Sequence, residues 1–144
     1  MAVAKVYGQF MIGVNKAEVN FETDTIKVSL HSNLYIPDQD NHNYYDDVTS
    51  EISGTGYTTG GAALVNKSVS YDSVTNVCTL DADDPTWSNA TISAVRYAVF
   101  YKDTGDPATS PLICYVDFTS DQSVSASNLS IVLPATGLVT YTVA

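Results

Sequence analysis

The sequence predicts an all-β fold: a single-domain antiparallel β-sandwich, jelly-roll-like, with roughly eight short strands. Three observations carry this. Apolar residues recur with period two rather than 3.6, turn-forming clusters fall between nearly all of the apolar runs, and no segment carries a helical stripe longer than a turn or two. Composition agrees. Charged residues supply only 15% of the chain against a usual value of about 25%, and Ser, Thr and Asn take their place, as on the surface of a β-protein. A chain of 144 residues is sufficient for one core, so residues 1–144 are expected to form one domain.

Taken in order, Val6, Phe10, Ile12 and Val14 share a parity that Gly8 interrupts, which predicts either a first strand of the sandwich or an extended N-terminal arm over residues 1–14. In "TIKVSLHS", Ile26, Val28 and Leu30 line one face while Lys27, Ser29 and His31 line a polar one, the pattern of a half-buried strand. "SVSYDSVTNVCTLDA" reads as two strands, about 66–71 and 77–81, joined by a hairpin loop rich in turn formers. "ATISAVRYAVFYKD" is apolar on both parities, as expected of a central strand covered on both faces. "PLICYVDF", "LSIVLP" and "GLVTYTVA" supply the remaining strands, and "DNHNYYDDVTSEI" has room for one short helix.

Sixteen acids against six bases give a net charge of −10, which repels phosphate backbones and anionic lipid, so nucleic acid and membrane are not expected partners. The N-terminus has no uninterrupted apolar core or small-residue cleavage pattern, and nowhere do eighteen apolar residues run together. The expectation is a chain neither exported by a standard signal nor membrane-spanning. Cys78 and Cys114 lie on separate strand-like runs, far from metal or redox spacing, and are expected to be buried free thiols.

The stretch "PDQDNHNYYDD" (37–47) concentrates four aspartates, a histidine and two tyrosines. Counted from Asp38 as an EF-hand loop, Asn43 stands where glycine belongs and Thr49 where the bidentate acid belongs, so that reading fails. A looser cation site from Asp38, Asp40 and Asp46 is the metal candidate, set against aspartates that close the loop by Asx-type bonds. His42 with Asp46 or Asp47 imitates a base and its orienting acid, but no nucleophile or anion hole accompanies them. No cofactor is implied. "GTGYTTGG" lacks the GK[ST] ending of a phosphate loop and any adjacent base, and reads as a mobile contact loop. Arg96, set within an apolar strand, is expected to reach an acid on a neighbouring strand. Tyr35, Tyr44, Tyr45 and Tyr57 fall in expected loops, where tyrosine suits protein contacts.

Several stretches together resemble a family of small structural proteins of tailed bacteriophages and prophages. They are "AKVYGQ", "DTIKVSLHSNLYIPDQDNHNYYDDV", "SGTGYTTGGAALVNKSVSYDSVTNVCTLDADDPTW", "RYAVFYKDTGDPATSPLICYVDF" and the closing "GLVTYTVA", which cover most of the chain. The resemblance implies a non-enzymatic virion component, a decoration or cement protein on the capsid exterior assembled in the bacterial cytoplasm. Its implied partners are the major capsid protein and copies of itself, as dimer or trimer. A tail- or fibre-associated protein that binds glycan, using Tyr44, Tyr45 and Trp87, is the alternative. Contact residues are then expected in residues 35–45, in residues 54–61, and in the arm at Val6, Tyr7 and Phe10.

Overall fold

The structure, a computed structural model, describes residues 4–144. Strand β1 (Ala4–Val6) leads into helix α1 (Gly8–Asn15), followed by β2 (Ile26–His31), β3 (Ala62–Ala63), β4 (Ser68–Asp72), β5 (Val77–Asp81), β6 (Thr86–Lys102), β7 (Leu112–Ser130) and β8 (Val139–Thr142). Single 3-10 turns occur at Tyr45–Asp47 and Pro107–Thr109. The strands form two antiparallel sheets, β1-β7-β6-β2-β3 and β4-β5-β8. This is the all-β sandwich that the alternation predicts. Its main core lies between the sheets, where Ile26, Val28, Leu30, Ala98, Phe100 and Val116 meet Leu80, Leu138 and Val139.

The large sheet is covered on its other face too. Val99, Tyr101, Leu112 and Tyr115 pack there with Tyr7 and Tyr35, and with the half-buried Tyr45, Val48 and Tyr97. Both parities of the C-terminal half of β6 are therefore used, as its sequence requires. One expectation for β2 is corrected by the same cover: Ser29 and His31 do not face solvent but are fully buried. Residues 32–51 are the lid.

The N-terminal segment also departs from expectation. Residues 1–3 of the expected arm lie outside the described residues; Ala4–Val6 pair with Val116, Tyr115 and Cys114 of the chain's own β7, so this part is a first strand and not a free arm. Gly8–Asn15 is a helix where alternation predicted extended chain. Phe10 and Val14 stand four residues apart and both meet the core, as i and i+4 do on a helix, while Ile12 between them is 47% exposed. Period two and period 3.6 coincide at i+4, and only the residue between them tells the two apart.

"PLICYVDF" does not end where its apolar run ends. β7 is 19 residues long in all and runs on through the polar "TSDQSVSASN", paired with β6 across several register shifts and with Thr119 and Ala126 in left-handed backbone. Serine- and asparagine-rich sequence here is bulged strand, and Ile131 and Leu133 of "LSIVLP" are buried beyond the strand's end. Arg96 reaches β7 as expected, its Nε donating to Asp117 Oδ1 at 2.8 Å while its guanidinium lies over the Tyr97 ring. The cysteines are unbridged; Cys114 is buried and Cys78 half-buried. Among the described residues no helix is long and apolar enough to cross a membrane.

Candidate functional site

The segment 32–51 closes on itself before it closes on the sheet. Asp38 Oδ1 accepts from the backbone N–H of Asp40 and Asn41, each at 3.1 Å, and Oδ2 accepts from Asn41 Nδ2 at 2.9 Å. These bonds, that from the Asn41 side chain foremost, hold the Asp38 carboxyl below the usual carboxylate range. Asp47 Oδ2 accepts from the N–H of Asn43 and Tyr44. The aspartates thus act as turn acceptors. Asp40 and Asp46 are exposed, and among the described residues no three His, Cys, Asp or Glu side chains group closely enough to hold a metal ion. The structure does not bring Asp38, Asp40 and Asp46 together as a cation site.

Beneath this turn runs a buried hydrogen-bond chain. His42 Nδ1 accepts from the Asp38 N–H at 3.2 Å, and a backbone N–H can only donate, so this nitrogen is the bare one. Tyr35 Oη, 3.0 Å away, must then donate to it, and Tyr7 Oη donates in turn to Tyr35 at 2.8 Å. Tyr35 also stacks on His42 and meets Tyr97 edge-on. Burial raises the Tyr35 phenol to about 12 and the Tyr7 phenol further still. Beside them His31 Nδ1 lies 2.8 Å from Thr49 O and Nε2 2.8 Å from Ser29 Oγ. A carbonyl only accepts, so Nδ1 carries the proton and Nε2 takes the serine hydroxyl. Burial lowers the His31 pKa.

A third cluster fastens residues 54–61. Glu51 Oε1 accepts from Tyr57 Oη and the Gly60 N–H, both at 2.6 Å, and Tyr57 Oη accepts from Leu30 N–H at 2.9 Å. Tyr101 Oη donates to Gly60 O, and Tyr45 stacks on Tyr101 with ring centroids 3.9 Å apart. Gly61 has φ +82°, and a Cβ there would stand 1.8 Å from Val28 O, so only glycine lets this loop meet β2. The expected mobile loop is a clamped one. A shallow pocket of about 300 Å³ opens here between Tyr45, Glu51, Tyr101 and the Lys27–Asp103 ion pair. Its carboxylates and its lysine already have partners, and no nucleophile stands beside a base in it.

The expected contact residues divide by burial. Tyr7, Phe10, Tyr35 and Trp87 are all at least 95% buried, because both faces of the large sheet need apolar cover and these are the large side chains that supply it. Val6, Tyr44, Tyr45 and Tyr57 are half-buried. The large apolar side chains that the segment presents to solvent are Leu34 and Ile36, 78% and 77% exposed on either side of the anchored Tyr35. Sequence reasoning missed His31, Glu51 and Tyr101; the signal for Tyr101 was the second apolar parity of "RYAVFYK", which demands a cover. A second, larger groove of about 460 Å³ lies between α1 and the small sheet, walled by Phe10, Val14, Phe21, Val69 and Tyr141. Comparison with protein-family models, with curated proteins and with solved structures finds no match to this chain.

Proposed function

We propose that this chain is a non-enzymatic virion component that decorates or cements the outer surface of a tailed-phage capsid, through contacts with the major capsid protein and with copies of itself. The observation that carries the reading is the pair Leu34 and Ile36, exposed on a segment that internal bonds hold rigid. A preorganised apolar projection binds a surface with little ordering cost, which suits cement and not catalysis. The family resemblance across most of the chain points the same way, and a charge of −10 suits an outer surface better than one facing packaged DNA. A tail or fibre role through glycan has less support, since Trp87 is buried and Tyr45 is stacked against Tyr101.

Particles assembled without the chain, or with Leu34→Asp and Ile36→Asp together, are expected to lose infectivity sooner on heating or osmotic shock than particles carrying the native chain. Equal survival of all three contradicts the cementing role.

A further inference from the structure

The sheet edges differ in how they are protected. β1 and β3 have only three and two residues. β7 outruns β1, but its free flank is broken by bulges and left-handed residues. β8 begins at the buried Val139. β4 has none of these defences: it pairs with β5 in unbroken register, all five of its residues are exposed, and Val69 and Tyr71 are 42% and 55% exposed on one face.

The hydrogen-bond phase tells which of its backbone groups are free. Val143 N–H donates to Asn76 O at 2.8 Å, so Asn76, Cys78 and Leu80 direct their backbone groups toward β8. Val77, Thr79 and Asp81 then bond to Asp72, Ser70 and Ser68, and the N–H and C=O groups of Val69 and Tyr71 point away from the sheet. Val69 N–H bears this out, since it donates outward to Glu22 Oε1 at 3.0 Å.

We propose that β4 is a self-recognition edge, at which two copies of this chain join antiparallel about Ser70 into one continuous sheet. The sequence "SVSYD" is self-complementary in that register: Val69 stands opposite Tyr71 of the other copy and Tyr71 opposite its Val69. Both are hydrogen-bonded pairs that exchange two N–H···O bonds each, and both place an aromatic ring against a β-branched side chain. The partner is a second copy because the twofold register satisfies every outward group with its equivalent. Glu22 caps the edge in the single chain and swings away on pairing. This inference names the surface for the self-contact in the proposed function, and rests on the isolated chain alone, so its failure leaves the capsid assignment to its own test.

In this register Ser70 faces Ser70 of the other copy as a non-hydrogen-bonded pair, with Cα atoms about 4.5 Å apart, within disulfide range. Purified Ser70→Cys, in a Cys78→Ser background, is expected to form a covalent dimer on mild oxidation, while Ser68→Cys in the same background does not. By sedimentation the native chain is expected to dimerise more strongly as salt screens the two acidic copies, Glu22→Ala more strongly still, and Tyr71→Lys, which also gives up the Tyr71 Oη bond to Asn76 Oδ1, to stay monomeric while still unfolding in one cooperative thermal transition. A native chain that sediments as a monomer at every concentration overturns the proposal, as does a dimer that survives Tyr71→Lys, or equal cross-linking at positions 68 and 70.

Discussion

Tyr35 joins the lid to the sheet. It is 1% exposed, its hydroxyl takes a bond from Tyr7 and gives one to His42, and removing that oxygen leaves the buried Tyr7 hydroxyl without its partner and takes from His42 Nδ1 one of its two donors, the Asp38 N–H remaining. Tyr35→Phe is expected to cost about 1–3 kcal/mol, read as a lower urea midpoint with unchanged slope. His31 makes stability depend on pH. Its pKa is lowered in the folded state, so below about 6.5 the unfolded chain binds the proton that the folded chain refuses. Stability is whole above that pH and falls as pH drops below it, by at most about 1.4 kcal/mol per pH unit from this group; urea unfolding at successive pH values measures the slope, and His31→Gln should flatten it. The tyrosines act at the other end. Tyr35 and Tyr45 are raised to about 12, so the stability they lend is full below the ordinary phenol value and lost as pH rises through 12. The Asx closure at Asp38 was legible in the sequence because it is local. The burial of Tyr35 was not, since a tyrosine in polar sequence reads the same whether it covers a sheet or meets a partner.

At the scale of elements, the strands that alternate cleanly or pair through short turns were legible, β2, β4 and β5 among them. Those decided by distant partners were not. The 8–15 segment offered Phe10, Ile12 and Val14 to either period, and the core chose the helix by accepting Phe10 and Val14 and leaving Ile12 outside. This yields a paired expectation: Phe10→Ala should destabilise by about 3–5 kcal/mol, whereas Ile12→Ala, on an exposed helical position, should stay within about 0.5 kcal/mol of the native chain. Equal losses in calorimetry would restore the strand reading. β7 shows the complementary difficulty. Its polar outer half is held by pairing with β6 and by bulges that no apolar pattern announces.

For the molecule as a whole, the large sheet divides two interiors of different character. One is mainly aliphatic, with Phe10, Phe21, Trp87 and Phe100 among its members, and joins the two sheets; the other is rich in tyrosine, with His31 and His42 beside it, and belongs to the sheet and its lid. The aromatic content that reads as a contact surface is thereby largely spent on the interior, and the outward apolar side chains are mainly aliphatic: Leu34 and Ile36 stand together on the lid, Val69 lies beside Tyr71 on the β4 edge, and Val65, Val74 and Val132 are exposed elsewhere. The lid pair and the β4 edge lie on rigid supports. That division of labour supports the proposed virion role, in which the chain acts by contact. The measurement that tests it most directly is an image reconstruction of tailed-phage particles assembled in the presence of this chain, with any copies counted and located. Copies are expected to be arrayed over the icosahedral shell, with Leu34 and Ile36 turned toward the capsid. A few copies confined to the tail, or none in the particle, would contradict it.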